Sequence, residues 1–369
     1  MPWRLPVSNR LLAPSSQHRF SSTASPSNVS DALKVLFCGS DEFSIASLRA
    51  LTAVHRDAPE LIGSLNVVHR PAKPTGRGLK QLRQVPIQKV AEEELKLPTY
   101  ALDTFTGWAP PTPINLIIAV SFGLLVPSRL LSSAKFGGLN LHPSLLPDLK
   151  GPAPIQHTIL RRREYTGVSV QTLHPEHFDQ GLVLAQTPSP GIQVPAGTTA
   201  RELEAQLAKT GADMLVQLLR SRKYMPPWED AGWYGSSNGP LDHAPKITNN
   251  DRYIDLNTSP LEDIHTIQNA LGDSWCLLPD GQRLILHRVV DTGVIDPSHG
   301  KPGIWSEEDC EYPLLSDLHG RVAIIMESTQ AGGKLGAGNA TLLRKLPKQK
   351  STGQSYAVAS ETPQGKYND

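Results

Sequence analysis

The stretch Ile114-Asn115-Leu116-Ile117-Ile118-Ala119-Val120 is aliphatic at every position but one. A strand with one wet face alternates apolar and polar residues, so this one has to be covered on both faces. Cover of that kind comes from helices packed on either side of a parallel sheet. The first half of the chain supplies the other pieces. Leu33-Lys34-Val35-Leu36-Phe37-Cys38 reads as a strand running into Gly39-Ser40, and Asp41 then caps a helix with Phe43, Ile45, Ala46 and Leu48 at helical spacing. Residues 61–68 read as a second strand. Pro86 opens a helix with Ile87, Val90, Ala91 and Leu95 on one face. Gly137-Gly138 precede a short strand, Leu139-Asn140-Leu141. The expected fold class is α/β, an open, mostly parallel, Rossmann-like sheet.

The pattern then shifts. Residues 168–173 and 182–186 read as paired strands. Thr199 and Glu202 form a capping box for a long helix carrying Leu203, Leu207, Met214, Leu215 and Leu218 on one side. Pro226-Pro227 and Gly235-Ser236-Ser237-Asn238-Gly239-Pro240 are linker composition. Beyond them come one helix over about 261–271 and short strands such as 283–289 and 321–326. A small β-barrel is the natural expectation there. The expected division is a first domain over 31–225, a linker over 226–245, a C-terminal barrel domain over 246–350, and a disordered tail over 351–369, where no apolar period occurs.

Thirty-six Lys and Arg against 35 Asp and Glu leave a net charge of +1, which neither advertises nor excludes a nucleic-acid partner. Cys38, Cys276 and Cys310 are far apart, with no Cys-x-x-Cys pair, so reduced thiols are expected and no metal site. No apolar run is long enough for a membrane helix, and no membrane partner is expected. Residues 1–30 carry Arg4, Arg10 and Arg19, many serines and no acid, the composition of an organelle transit peptide. Arg19-Phe20-Ser21-Ser22 suits cleavage near Phe20, and the mitochondrial matrix is the expected destination.

The chemistry-bearing segment is Asn140-Leu141-His142-Pro143-Ser144-Leu145-Leu146-Pro147. It lies at a predicted strand's carboxyl end, where open α/β sheets hold ligands. Two residues apart on extended backbone, Asn140 and His142 point the same way and can together bind a developing oxyanion. Read alone, the pair serves equally as a turn-capping Asn and a surface His. Asp179, in Phe178-Asp179-Gln180-Gly181, can orient a histidine, although Asp before Gly is also ordinary turn chemistry. Lys73-Pro74-Thr75-Gly76-Arg77-Gly78-Leu79-Lys80 is a cationic loop suited to phosphates or simply to solvent. Arg344-Lys345-Leu346-Pro347-Lys348-Gln349-Lys350 is a second basic run, an RNA-backbone contact or a solvated tail. Gly39-Ser40-Asp41 lacks the full dinucleotide fingerprint, so dinucleotide binding is rejected.

With these segments in hand, residues 33–350 resemble the methionyl-tRNA formyltransferases in their mitochondrial form. The likeness is strongest where Asn140 to Pro147 is followed by Lys150-Gly151-Pro152-Ala153-Pro154-Ile155-Gln156, then Gly167-Val168-Ser169 and Asp179-Gln180-Gly181 in family order. That pattern is similar across the formyltransferase fold and is shared with the glycinamide ribonucleotide enzyme and formyltetrahydrofolate hydrolase. Pro74-Thr75-Gly76-Arg77-Gly78 and His243-Ala244-Pro245-Lys246-Ile247 with Ile254-Asp255 resemble features of the tRNA enzymes, the latter the start of their open-barrel (OB-like) C-terminal domain. The chain departs from the family at Lys150, where Arg is usual, at residues 173–178, at Leu182, and in a short stretch over 103–114.

The resemblance implies 10-formyltetrahydrofolate as donor and the methionine α-amine of charged initiator tRNA as acceptor, with no metal. It implies Asn140 as an oxyanion donor, His142 as a second donor or proton carrier, and Asp179 as the group that holds His142 and a water. It implies folate contacts along Phe122, Gly123 and Leu124 and along Ser144, Leu145, Leu146 and Pro147, although ordinary core packing also explains the first three. Lys73, Arg77 and Lys80, with Arg344, Lys345 and Lys348, are the expected tRNA contacts. A monomer is expected. The rival readings are another folate-dependent formyltransferase or the hydrolase, and a non-catalytic RNA-binding protein.

Overall fold

The computed structural model describes residues 31–75, 81–296, 301–346, 348–349 and 356. The expected presequence and most of the expected tail, Arg77 and Lys80 lie outside these residues.

The aliphatic run forms the strand Leu116–Val120, in the interior of a seven-stranded sheet. The order across the sheet is Val183–Gln186, Ser169–Thr172, Gly138–His142, Leu116–Val120, Leu33–Gly39, Ile62–His69 and Thr99–Ala101. The last five are parallel to one another, and the first two are antiparallel additions at one edge. The strands at 168–173 and 182–186 thus extend the main sheet rather than starting a new one. Alternate residues of the aliphatic run serve two cores. Leu116, Ile118 and Val120 pack in one with Leu48, Leu207 and Leu215, while Ile117 and Ala119 pack in another with Phe105, Phe122 and Leu130. Each such buried aliphatic side chain contributes roughly 1.5–3 kcal/mol.

Helix caps read from sequence are present. Asp41 accepts from the Ser44 N–H at 3.0 Å and starts Glu42–Asp57. Thr199 and Glu202 cap the helix Ala200–Arg220 reciprocally. The segment after Pro86 differs from a plain helix. Only Pro86–Lys89 is α-helical, and the next turn widens, with the Leu95 N–H reaching Val90 O.

The Pro/Gly/Ser-rich stretch after residue 226 is fastened along the sheet rather than free. The Ala231 N–H donates to Val183 O, the Trp233 indole to Thr187 O, and the Leu149 N–H to Asp242 O. Beyond it, the helix Leu261–Leu271 packs with a second sheet of six strands. Their order is Ser274–Leu277, Arg283–Ile295, Arg321–Gln330, Leu314–Ser316, Gly303–Glu307 and Lys348–Gln349, antiparallel except at the last pair. Leu261, Ile264, Cys276, Leu284, Leu286 and Ile325 make its core. Burial pushes the Cys276 thiol up to about 12 and raises the Cys38 thiol as well, so neither is a poised nucleophile. In the tail, the Tyr356 hydroxyl donates to Glu307 at 3.0 Å.

Candidate active site

Asn140 and His142 stand at the carboxyl end of Gly138–His142. The sheet grows in one direction from Leu33–Gly39 through Ile62–His69 and in the other through Leu116–Val120, so a topological switch point lies between the two. The chain leaves Leu116–Val120 through Ser121 (φ 47°) and Gly123 (φ 75°), turning sharply away from the strand ends. A cavity of about 530 Å³ opens there.

Asp179 comes in from the turn joining the two antiparallel edge strands. Its backbone is left-handed, at φ 54°, a conformation that a non-glycine residue adopts only when its surroundings hold it. Three donors do so. Asn140 Nδ2 reaches Oδ1 at 3.2 Å, Gln171 Nε2 reaches the same oxygen at 3.2 Å, and the Gly151 N–H reaches Oδ2 at 2.9 Å. Gly181 permits the turn, since a Cβ there would lie 1.7 Å from Thr172 O. Gly151, at φ 124°, passes so close to the 243–244 segment that a Cβ would meet Ala244 O at 2.4 Å.

His142 Nδ1 lies 3.4 Å from Asp179 Oδ1, and its Nε2 lies 3.0 Å from Leu149 O. A carbonyl only accepts, so Nε2 carries a proton and Nδ1 is the nitrogen turned to the carboxylate. Both side chains are more than nine-tenths buried, where such contacts are stronger than in water. The Asn140 amide nitrogen has two N–H donors, of which Asp179 takes one.

Asn140, His142 and Asp179 share the cavity wall with Phe122, Gly123 and Leu124. Ser144 and Leu145 do not line it. The Ser144 hydroxyl donates to Asp148 O, and both residues are buried. Leu146 and Pro147 line a separate depression that meets the first at Gln171 and Asp179. Lys73 is exposed in a strand, Lys73–Thr75, that pairs with Gln81–Arg83. Arg344, Lys345 and Lys348 are exposed on the C-terminal domain, where Lys345 faces Asp280 at 3.6 Å. None of these four cations lines the cavity.

Sequence reasoning missed several wall residues. Gln171 is the cross-strand partner of Asn140, a pairing that only the register reveals. His243 comes from the stretch after residue 226, remote from Asn140 in sequence, and it too lines the cavity. No local pattern signals its arrival there. Asp41 and Glu204 add two carboxyls to the wall. Burial raises Asp41, partly offset by the Ser44 N–H and the Ser121 and Ser44 hydroxyls. Burial also raises Glu204, with the charges of Asp41 and Glu42 adding to it. Among the described residues no group of three or more His, Cys, Asp or Glu side chains could hold a metal ion, and no helix is long and apolar enough to cross a membrane.

Comparison with known proteins places the chain in a family. A family model described as formyl transferase matches residues 33–219. The mitochondrial methionyl-tRNA formyltransferase of Saccharomyces cerevisiae is 32% identical over 350 residues, covering 82% of this chain and 86% of that protein. The Homo sapiens protein of the same name is 35% identical over 242 residues, covering 65% of this chain and 57% of its own length. Among solved structures, an N-formyltransferase from Helicobacter canadensis aligns with a TM-score of 0.51 at 15% identity, over 79% of this chain and 98% of that one. A HypX variant from Aquifex aeolicus aligns at 0.52 and 15% identity, over 90% and 51%. These last two likenesses concern the fold. The chain belongs to the formyl transferase family and, within it, to the methionyl-tRNA formyltransferases.

Proposed function

We propose that this protein moves a formyl group from 10-formyltetrahydrofolate to the α-amine of methionine on initiator tRNA, in the mitochondrial matrix. The observation that carries the reading is the convergence of Asn140, His142 and Asp179 on one cavity at the sheet's switch point. The relatives' names supply the tRNA acceptor and the mitochondrial setting. A folate-type donor suits the cavity, whose volume is that of small-molecule sites and whose wall combines Phe122, Leu124, Leu125 and Ile155 with a few polar groups. When bound, the donor supplies an activated formyl carbon.

The protein's own groups then divide the work. Asn140 has one N–H on Asp179, and its second N–H is offered to the formyl oxygen as that oxygen gains negative charge. His142 holds a proton on Nε2 against Leu149 O, which favours the proton-carrier role over that of a second oxyanion donor. Its Nδ1, with Asp179, takes up the proton that the attacking amine loses and would return it to N10 of the donor as the formyl carbon–N10 bond breaks and tetrahydrofolate leaves. Gln171 and Gly151 keep the Asp179 carboxylate in place while this happens. The amine must be neutral to attack, and esterification of methionine to tRNA lowers its basicity, so charged tRNA is a better acceptor than free methionine.

We further read residues 1–30 as a matrix presequence, 31–225 as the catalytic domain, 226–245 as the linker and 246–350 as a tRNA-contacting domain built as a small open barrel. Register breaks along the long strand Arg283–Ile295, at Leu286/Arg288, Arg288/Val289 and Asp291/Val294, support the barrel. Lys73, Arg77 and Lys80 would meet acceptor-stem phosphates, and Arg344, Lys345 and Lys348 would add to them. One incubation tests the reading: protein, 10-formyltetrahydrofolate and charged initiator tRNA. Formyl-methionine on the tRNA is expected. Formate release without tRNA labelling would point to a hydrolase, and no turnover to a binding protein.

A further inference from the structure

The loop over residues 148–151 touches both members of the dyad. Its Leu149 carbonyl accepts from His142 Nε2 at 3.0 Å, and its Gly151 N–H donates to Asp179 at 2.9 Å. Leu149 itself is left-handed, at φ 54°, which a bulky residue does not adopt unless held there. The hold comes from elsewhere in the chain. Residues 242–244 run beside the loop, with the Asp242 N–H on Asp148 Oδ1 (2.8 Å), the Leu149 N–H on Asp242 O (2.8 Å) and the Ala244 N–H on Lys150 O (2.7 Å).

Arg163 closes this ladder. Its Nε and Nη2 grip the buried Asp148 carboxylate at 3.1 Å each, and Nη2 also reaches Asp242 Oδ2 at 2.5 Å. A planar guanidinium makes such a fork and an ammonium does not. Arg163 is aimed there by the way the helix Pro154–Leu160 ends. Arg162 takes φ 49°, its N–H returns to Ile159 O, and the Arg163 N–H returns to Thr158 O.

We propose that Arg163 is a positioning residue for formyl transfer: by clamping Asp148 to Asp242 it holds Leu149 left-handed, so that the Leu149 carbonyl fixes the proton of His142 on Nε2 and keeps Nδ1 toward Asp179. Arg163 does not line the cavity. The device also ties the catalytic loop to the segment that leads into the C-terminal domain, so the site is complete only when that segment is seated.

The kinetic arm of the test rests on the formyl-transfer reading, and the spectroscopic arm does not. The wild-type chain is compared with Arg163→Lys and Asp242→Asn, measuring kcat and KM for charged tRNA and donor, together with the ¹⁵N shifts of the His142 ring. Assignment among the 12 histidines uses His142→Gln. In wild type the ring is expected to keep a proton on Nε2, hydrogen-bonded to Leu149 O, in a single environment. Arg163→Lys is expected to mix the tautomers and lower kcat roughly 10–100-fold, as small misplacements of a reacting group do, with both KM values within about twofold. Asp242→Asn moves both readouts the same way by less. A variant with lowered thermal stability but wild-type ring shifts and kcat overturns the proposal. If Arg163→Lys does not fold, Asp242→Asn decides, and unchanged ring shifts there overturn it. A wild-type protein that forms no formyl-methionine refutes the functional reading, while the ring shifts still judge Arg163.

Discussion

Replacing Asn140 by Ala separates catalysis from folding, because its amide nitrogen serves two partners of unequal worth. One N–H goes to Asp179 at 3.2 Å, a distance at the long end for such bonds. Asp179 keeps the Gln171 amide and the Gly151 N–H when Asn140 is truncated, so the carboxylate stays held. The stability cost is therefore about 1–2 kcal/mol. The second N–H matters only when charge develops on the formyl oxygen. Loss of one such preorganised donor typically costs roughly 10²–10³ in kcat, about 2.7–4 kcal/mol. The catalytic loss thus exceeds the loss of stability, and it falls on a step that the ground state does not share. Formylation of charged initiator tRNA at saturating donor should show kcat down by about two to three orders of magnitude, with KM nearly unchanged. A thermal melt on the same sample should move by only a few degrees. A kcat within about threefold of wild type, less than 1 kcal/mol in the barrier, would refute the role of Asn140.

Three further outcomes are expected. Glu204 has its acidity weakened by burial and by Asp41 and Glu42, so the folded chain binds its proton more tightly than the unfolded chain does. Stability from this group is present below the ordinary glutamate value and lost as pH rises through the raised one, so Glu204→Gln should leave the melting temperature unchanged near about pH 4 and raise it at neutral pH; equal shifts at both pH values would count against this. Lys73, Arg77 and Lys80 replaced together by Ala should flatten the salt dependence of tRNA binding by roughly 2–3 units in the log–log slope, and an unchanged slope would remove them from the interface. Thr199→Ala breaks a capping box at the start of Ala200–Arg220 and should lower stability by about 1 kcal/mol without touching kcat; a change in kcat with no shift in melting would contradict the capping role.

Much of this architecture is legible in local patterns. The aliphatic run at 114–120 requires burial on both sides, and Leu116, Ile118 and Val120 do face one core while Ile117 and Ala119 face the other. Asp41 and Thr199 announce their helices because a cap acts on backbone groups only three residues away. The pair Asn140 and His142 is legible for a similar reason, since two-residue spacing on a strand sets a common face. Less is legible wherever the partner is remote. The 168–173 and 182–186 strands read in sequence as paired with each other, but only the register shows that the pair extends the first sheet by antiparallel pairing with Gly138–His142. The stretch after residue 226 has a linker's composition, but its backbone groups find partners on Val183, Thr187 and Leu149 that composition cannot foretell.

The sequence by itself determined the α/β class, the strand-end position of Asn140 and His142 and, through family resemblance, the membership of Asp179, because each depends on short-range periodicity or on a contiguous motif. Tertiary structure alone decided what those residues do to one another. Register brought Gln171 opposite Asn140, a left-handed Leu149 turned its carbonyl onto His142 Nε2, and Arg163 reached across to Asp148 and Asp242 to hold that turn. The physical reason is range. A side chain's face follows from its neighbours in sequence, whereas a histidine's proton is set by whichever acceptor the fold delivers to its far nitrogen.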